Sequence, residues 1–230
     1  MLVQSAGQCV YCMATLISPD WIVTDNACSD LFASGPTAAV NEIFFYYDDP
    51  LRRQVYQVAD QYSGSGFPRV TGYLKIAYSG IGTKIPLTPL PVNCDTSLAP
   101  TSATIFYWDF GTPLGTRTFS TYPVQLRNPT FCSNVISSAS GWDDMPNGYF
   151  CINGDADNNY FNQYVQTVFQ GAPLLQQQPG GGWLYLGSGM NAKKQFPSPP
   201  NLGNCTVLTN AARAMNGSPN MQALFGATCA

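Results

Sequence analysis

Apolar residues recur along most of this chain with a period of two, or in short unbroken runs, and turn residues interrupt them at intervals of roughly ten positions. That is the pattern of short strands in an all-β protein. Residues 1–5 and 9–17 read as two successive strands. Residues 13–17 and 21–24 flank the turn Ser18-Pro19-Asp20 and read as a hairpin. Residues 42–47 are dense in aromatic and β-branched side chains, and Asp48-Asp49-Pro50 ends that strand. Residues 54–59 alternate in strand fashion, 73–78 read as a buried strand, and 31–40 and 63–66 read as loops. Residues 85–91, Ile-Pro-Leu-Thr-Pro-Leu-Pro, are held extended by their prolines. Five more strand candidates follow, at 103–108, 117–124, 148–152, 171–175 and 183–187, and 210–215 is the one short helical stretch. Barrels and a sandwich share this pattern, and periodicity does not choose between them.

Composition narrows the picture. A chain of 230 residues with 45% hydrophobic content can bury a core as one two-lobed domain or two small ones. Charged residues are only 10%, well below the usual quarter, which suits a turn-rich protein with a weakly charged surface. The net charge of −3 and the absence of a Lys/Arg run argue against nucleic acid or an anionic membrane as partner. No apolar run is long enough for a membrane-spanning helix. Met1-Leu2-Val3-Gln4 leads straight into strand-like sequence, so a leader is expected to have been removed or to lie outside this chain.

The eight cysteines, Cys9, Cys12, Cys28, Cys94, Cys132, Cys151, Cys205 and Cys229, are an even number and widely spaced. The one Cys-x-x-Cys, Cys9 to Cys12, has no second close pair and the chain has no histidine, which argues against zinc. A disulfide framework in an oxidising, extracellular compartment is the expectation. The sequons at Asn204 and Asn216 fit a secreted protein, although Pro219 disfavours use of the second.

Other candidate chemistry is weak. Asp155, Asp157 and Asn159 alternate as calcium ligands do, but the stretch lacks the glycine and distal glutamate of an EF-hand, and a polar surface loop is the stronger reading. The adjacent Asp143 and Asp144 could act as paired carboxylates, yet neighbours in a loop usually point apart into solvent. The aromatic residues sit mostly at strand spacing, as core residues do. Residues 176–182, Gln-Gln-Gln-Pro-Gly-Gly-Gly, form a loop between two strands. No cofactor and no metal are expected.

The stretch from Cys12 to Cys28 resembles a segment of trypsin/chymotrypsin-type serine proteases. There Cys-Gly-Gly-Ser-Leu-Ile-Ser-Pro is followed by Trp-Val-Leu-Thr-Ala-Ala-His-Cys; here Leu16-Ile17-Ser18-Pro19, Trp21, Thr24 and both cysteines match. Four further segments match in order: Tyr73–Ile76 with the prolines after it, Cys132 with Cys151, Gly171-Ala172-Pro173-Leu174, and residues 183–187. Together they cover most of residues 2–190. The resemblance implies two antiparallel six-stranded β-barrels and a short C-terminal helix, with residues 1–90 and 91–230 as the two barrels of one domain. It implies bridges Cys12–Cys28 and Cys132–Cys151; the remaining cysteines are expected to pair as Cys9–Cys94 and Cys205–Cys229.

The resemblance also fixes where a catalytic triad would stand. The histidine position is Ala27, the aspartate position Val70 (or Thr71 with a slip of one), and the serine position Gln170. None of the three groups that the triad needs is present. The glycine of the oxyanion hole is replaced by Val168, and the aspartate that receives the new N-terminus on activation by Phe169. A secreted, catalytically inactive relative of these proteases, binding a protein or a surface glycan, is the implied function. A structural subunit of an extracellular assembly is the alternative.

Overall fold

Short apolar runs become strands throughout the structure. It is a computed structural model that describes residues 2–5, 8–25, 28–30, 40–45, 54–62, 71–82, 84, 86–94, 102–108, 119–127, 149–153, 171–189, 205–209 and 221–230. In the first half these are β1 (Leu2–Ser5), β2 (Gln8–Tyr11), β3 (Thr15–Ser18), β4 (Trp21–Asp25), β5 (Val40–Phe45), β6 (Gln54–Tyr62) and β7 (Thr71–Gly82). In the second they are β8 (Ser102–Trp108), β9 (Phe119–Arg127), β10 (Tyr149–Asn153), β11 (Pro173–Gln177), β12 (Trp183–Gly189) and β13 (Cys205–Thr209). A short helix, α1 (Met221–Phe225), follows.

The first seven strands form one antiparallel sheet in the order β2-β1-β5-β6-β7-β4-β3. The second six pair in a ring, β10-β13-β12-β11-β8-β9, with β9 returning to β10. The first half thus departs from the expected six-stranded barrel: it has seven strands, and its sheet is open among the described residues. The reason is local. The single strand expected at 9–17 breaks at residues 12–14, and its two pieces become the two edges of the sheet. The edges are therefore joined by three residues of chain rather than by hydrogen bonds.

Alternation places the core. In β9, Tyr122, Val124 and Leu126 are buried while Phe119, Thr121, Pro123 and Gln125 are exposed. Pro123 lacks an N–H, but β10 joins β9 only at Gln125–Arg127, so no bond to β10 is lost there. The strands nearest the junction between halves are buried on both faces. Leu16 and Ile22 turn into the first sheet with Ile43 and Leu74. Their neighbours Ile17 and Val23 turn the other way, into a shared cluster with Tyr73, Tyr185 and Phe225. Leu184 and Leu186 of β12 enter the ring's own core. Continuous apolar runs in these strands reflect this two-sided burial.

The linker 86–94 is laced to both halves. Leu90 N–H donates to Leu16 O at 2.9 Å, and Tyr185 N–H donates to Pro91 O at 2.8 Å. Val92, fully buried, donates to Thr228 O at 2.8 Å and accepts from Ala230 N–H at 3.1 Å. This pairing of the linker with the chain's end corrects two expected bridges. Cys94 bonds Cys229, with Cα atoms 5.3 Å apart, so neither Cys9–Cys94 nor Cys205–Cys229 forms. The cause is the parallel bridge between Val92 and Cys229, which brings the two cysteines into range. Cys9 and Cys205 lie in strands elsewhere, opposite Gln4 and Asn153. The expected Cys12–Cys28 bridge is present, with Cα atoms 6.1 Å apart. Cys132 lies outside the described residues, as does the helix expected at 210–215.

Candidate functional site

The hairpin β3–β4 ends at the place where the sequence puts its first catalytic position. Thr24 Oγ1, buried, donates to Met13 O at 2.7 Å and fixes the end of β4 against the chain entering β3. Asp25, also buried, accepts the Cys28 N–H at 2.9 Å through Oδ1. An aspartate three residues before the amide that donates to it is an N-cap arrangement, and a helical turn at 28–30 follows it. The Cys12–Cys28 bridge ties that turn back to the start of β3. Ala27 comes between Asp25 and Cys28 in the sequence and lies outside the described residues.

The second position approaches from β7. In the register of β4 with β7, Asp25 faces Thr71 and Thr24 faces Gly72. Gly72 sits so close to Ser29 that a Cβ there would fall inside the serine side chain. Glycine at 72 is what lets β7 lie directly under the helical turn. Val70 itself is outside the described residues.

The third position comes from the ring. Gly171 has φ +77°, in the left-handed region, and a Cβ on it would overlap the Met13 carbonyl oxygen and crowd Thr24 Oγ1. Its N–H donates to Gly189 O at 2.8 Å, and Gly189 N–H donates to Ala172 O at the same distance. The residue after Gln170 is thereby locked against the β3–β4 hairpin. Gln170, Val168 and Phe169 are outside the described residues. Described neighbours of all three expected catalytic positions therefore meet at one place, around Thr24, Asp25 and Ser29.

The groups at this place are poor in reactive chemistry. Thr24 and Ser29 are fully buried hydroxyls. The described lysines are engaged elsewhere: Lys75 lies 3.6 Å from Asp20 in an exposed pair, and Lys84 sits 5.7 Å from the Tyr78 ring centre. Among the described residues no group of three His, Cys, Asp or Glu is placed to hold a metal. Behind the site, Tyr73 and Tyr185 are buried, and burial is the main cause that pushes both phenols well above their ordinary value. For Tyr73 the neighbouring Tyr185 and Tyr62 add to the rise; for Tyr185 its hydrogen bond with Ser188 opposes it.

The Asp25 cap and the close seats at Gly72 and Gly171 escape a reading of the sequence alone, although aspartate is a favoured N-cap residue. Asp143, Asp144, Asp155, Asp157, Asn159, Asn204 and Asn216 lie outside the described residues. Residues 176–182 are described: Gln178 N–H donates to Gly182 O at 2.8 Å, and Gly180–Gly182 stand exposed with open space around them.

No protein-family model matches the chain, and no curated protein matches it in sequence. Among solved structures, kallikrein-related peptidase 10 in complex with Zn2+ superposes with a TM-score of 0.57 over 94% of this chain and 91% of that one, at 13% identity. Identity this low speaks for the fold alone: the chain has the trypsin-like serine protease fold.

Proposed function

We propose that this protein is a secreted, catalytically inactive member of that fold which acts by binding a protein or a surface glycan. The observation that carries the reading is the identity of three positions whose described neighbours are in contact: Ala27, Val70 and Gln170. A serine hydroxyl needs an adjacent base to attack near neutral pH, and the chain has no histidine to serve as one. The bonds Cys12–Cys28 and Cys94–Cys229 support an oxidising compartment. No described helix is long and apolar enough to cross a membrane.

The resemblance assigns recognition to the segments at about 31–40, 63–68, 138–148, 154–163 and 176–182, which correspond in sequence to the family's cleft-rim loops. They are rich in Gly, Ser, Asn, Gln and Tyr, which give adaptable hydrogen bonds and aromatic contact area. Phe169 and Gln170 stand in the sequence where the resemblance puts the family's aspartate and serine, and residues of that bulk leave less room for a substrate side chain. The second reading is a subunit of an extracellular assembly, for which the low share of charged residues, 10%, suits a surface buried in subunit contacts. The test has two arms. A fluorophosphonate probe leaves every serine unlabelled, and labelling of any one overturns the inactive reading. An alanine series over the rim loops abolishes binding to whatever co-purifies from the native source. Loss of binding from changes on the barrel backs, with the rim silent, favours the assembly subunit.

A further inference from the structure

A pocket of about 440 Å³ lies between the first sheet and the ring, within the range of small-molecule sites. Leu16 and Ile43 form one wall, Phe106 and Leu175 the other, and the half-exposed Phe119 stands at the rim. Phe106 carries this apolar surface on to its neighbours, with ring centres 5.7 Å from Phe119 and 4.8 Å from Trp183. Rigid rings at such spacings offer large contact area at small entropic cost. The pocket adjoins the place where the three catalytic positions converge, sharing Met13 with it, but none of Asp25, Cys28, Ser29, Gly72 and Gly171 lines it.

Two features define what it takes. No charged residue is among its described lining, so a carboxylate or ammonium would lose its water there without gaining a counter-ion. The polar side chains of that described lining are Thr15 and Thr88. Thr15 is 5% exposed, and its Oγ1 is buried with no hydrogen-bond partner. Buried hydroxyls are normally satisfied, and one left over marks an interaction the protein alone does not complete. Threonine exchanges the places of its hydroxyl and methyl by moving between staggered χ1 wells. In the site proposed below, that movement would bring Oγ1 to the ligand and put the methyl in its place.

We propose that this pocket binds a neutral, mainly apolar small molecule with a single polar end of the alcohol or amide class, hydrogen-bonded by Thr15. The site is independent of whether the protein cleaves peptides. The whole chain is titrated with the neutral fluorophore N-phenyl-1-naphthylamine, and 1-decanol and decanoate then compete with it at pH 8. One saturable site is expected, with decanol displacing the probe at least ten-fold more effectively than decanoate. Thr88→Trp, at an exposed linker position that lines the pocket, fills it and weakens probe binding about ten-fold. Ala14→Trp is the second filling variant. Thr15→Val keeps the shape, removes the hydroxyl and weakens displacement by decanol about five-fold. Absence of a saturable site, equal displacement by decanoate, or binding unchanged in both folded filling variants overturns the proposal. Decanol displacement unchanged in Thr15→Val overturns the role of Thr15.

Discussion

Gly171 holds a close contact between the two halves, and its φ of +77° is costly for any other residue. Alanine there pays about 1–2 kcal/mol for the left-handed backbone before any steric overlap. Its Cβ also meets the Met13 carbonyl, which cannot swing away as a side-chain tip could. Gly171→Ala is therefore expected to lower stability by more than about 2 kcal/mol in urea unfolding. A loss below that would mean the hairpin gives way easily. The two buried phenols make a second prediction. In the unfolded chain Tyr73 and Tyr185 lose their protons near pH 10, whereas burial lets the folded chain keep them to higher pH. Above about pH 10 the folded state holds more protons, so stability falls as pH rises; below it their contribution is whole. Urea midpoints measured from pH 8 to 11.5 are expected to drop above about 10, and less steeply in Tyr73→Phe. The sequence shows at this scale what stands at the triad positions, because Ala27, Val70 and Gln170 are read off directly. It does not show what gathers around them. The contact of Gly171 with Thr24 joins residues far apart in the chain, and no local pattern encodes it.

The elements differ in how much of their cause is local. β9 shows its alternation in the sequence and needed only a shift of a few residues at each end. β13, Cys-Thr-Val-Leu-Thr, lies among loop-like residues and becomes a strand because β10 and β12 flank it. The helix α1 is the extreme case. Five residues cannot sustain a helix alone, since nucleation costs more than so few bonds return. Two features hold it. Gly226, at φ +65°, closes it by donating to Gln222 O at 2.9 Å, a left-handed cap. Phe225 then stacks on Tyr73 with ring centres 4.4 Å apart and meets Trp21 at 4.8 Å and Tyr62 at 5.4 Å. Phe225→Ala is expected to cost about 3–5 kcal/mol, the range for a buried aromatic truncated to alanine. Thermal unfolding with near-ultraviolet circular dichroism of the aromatic cluster checks it; a change under about 1 kcal/mol would show that α1 merely rests on the sheet.

At the scale of the whole molecule, the two-part β architecture was legible, and so was the Cys12–Cys28 bridge, whereas the pairing of Cys94 with Cys229 was not. Strand spacing and the five matched segments carried the first two. Spacing alone never fixes the last, because several pairings of the same cysteines fit one sequence. The pairing was decided by the linker, where Val92 lies between Tyr185 and Cys229 in backbone bridges that no periodicity announces. Cys94 and Cys229 are 135 positions apart, and closing so long a loop is worth up to about 5 kcal/mol in the chain-entropy model. Cys229→Ala is expected to lower the thermal midpoint by more than removal of the 16-residue Cys12–Cys28 span would on loop length alone. Differential scanning calorimetry of the two single-bridge variants orders them, and the reverse order would assign the larger role to local strain relief at the hairpin.

The bond between linker and C-terminus also turns residues 94–229 into a covalent circle that contains all six strands of the ring. A circle cut once remains in one piece. A protease that opens the exposed turn at Gly180–Gly182 would leave both products tethered and the hydrogen-bonded ring able to close over the wound. The nicked protein is expected to run as a single chain on a non-reducing gel, to separate into two only after reduction, and to keep its elution volume throughout. Two separate products before reduction would mean that the circle is not closed in solution.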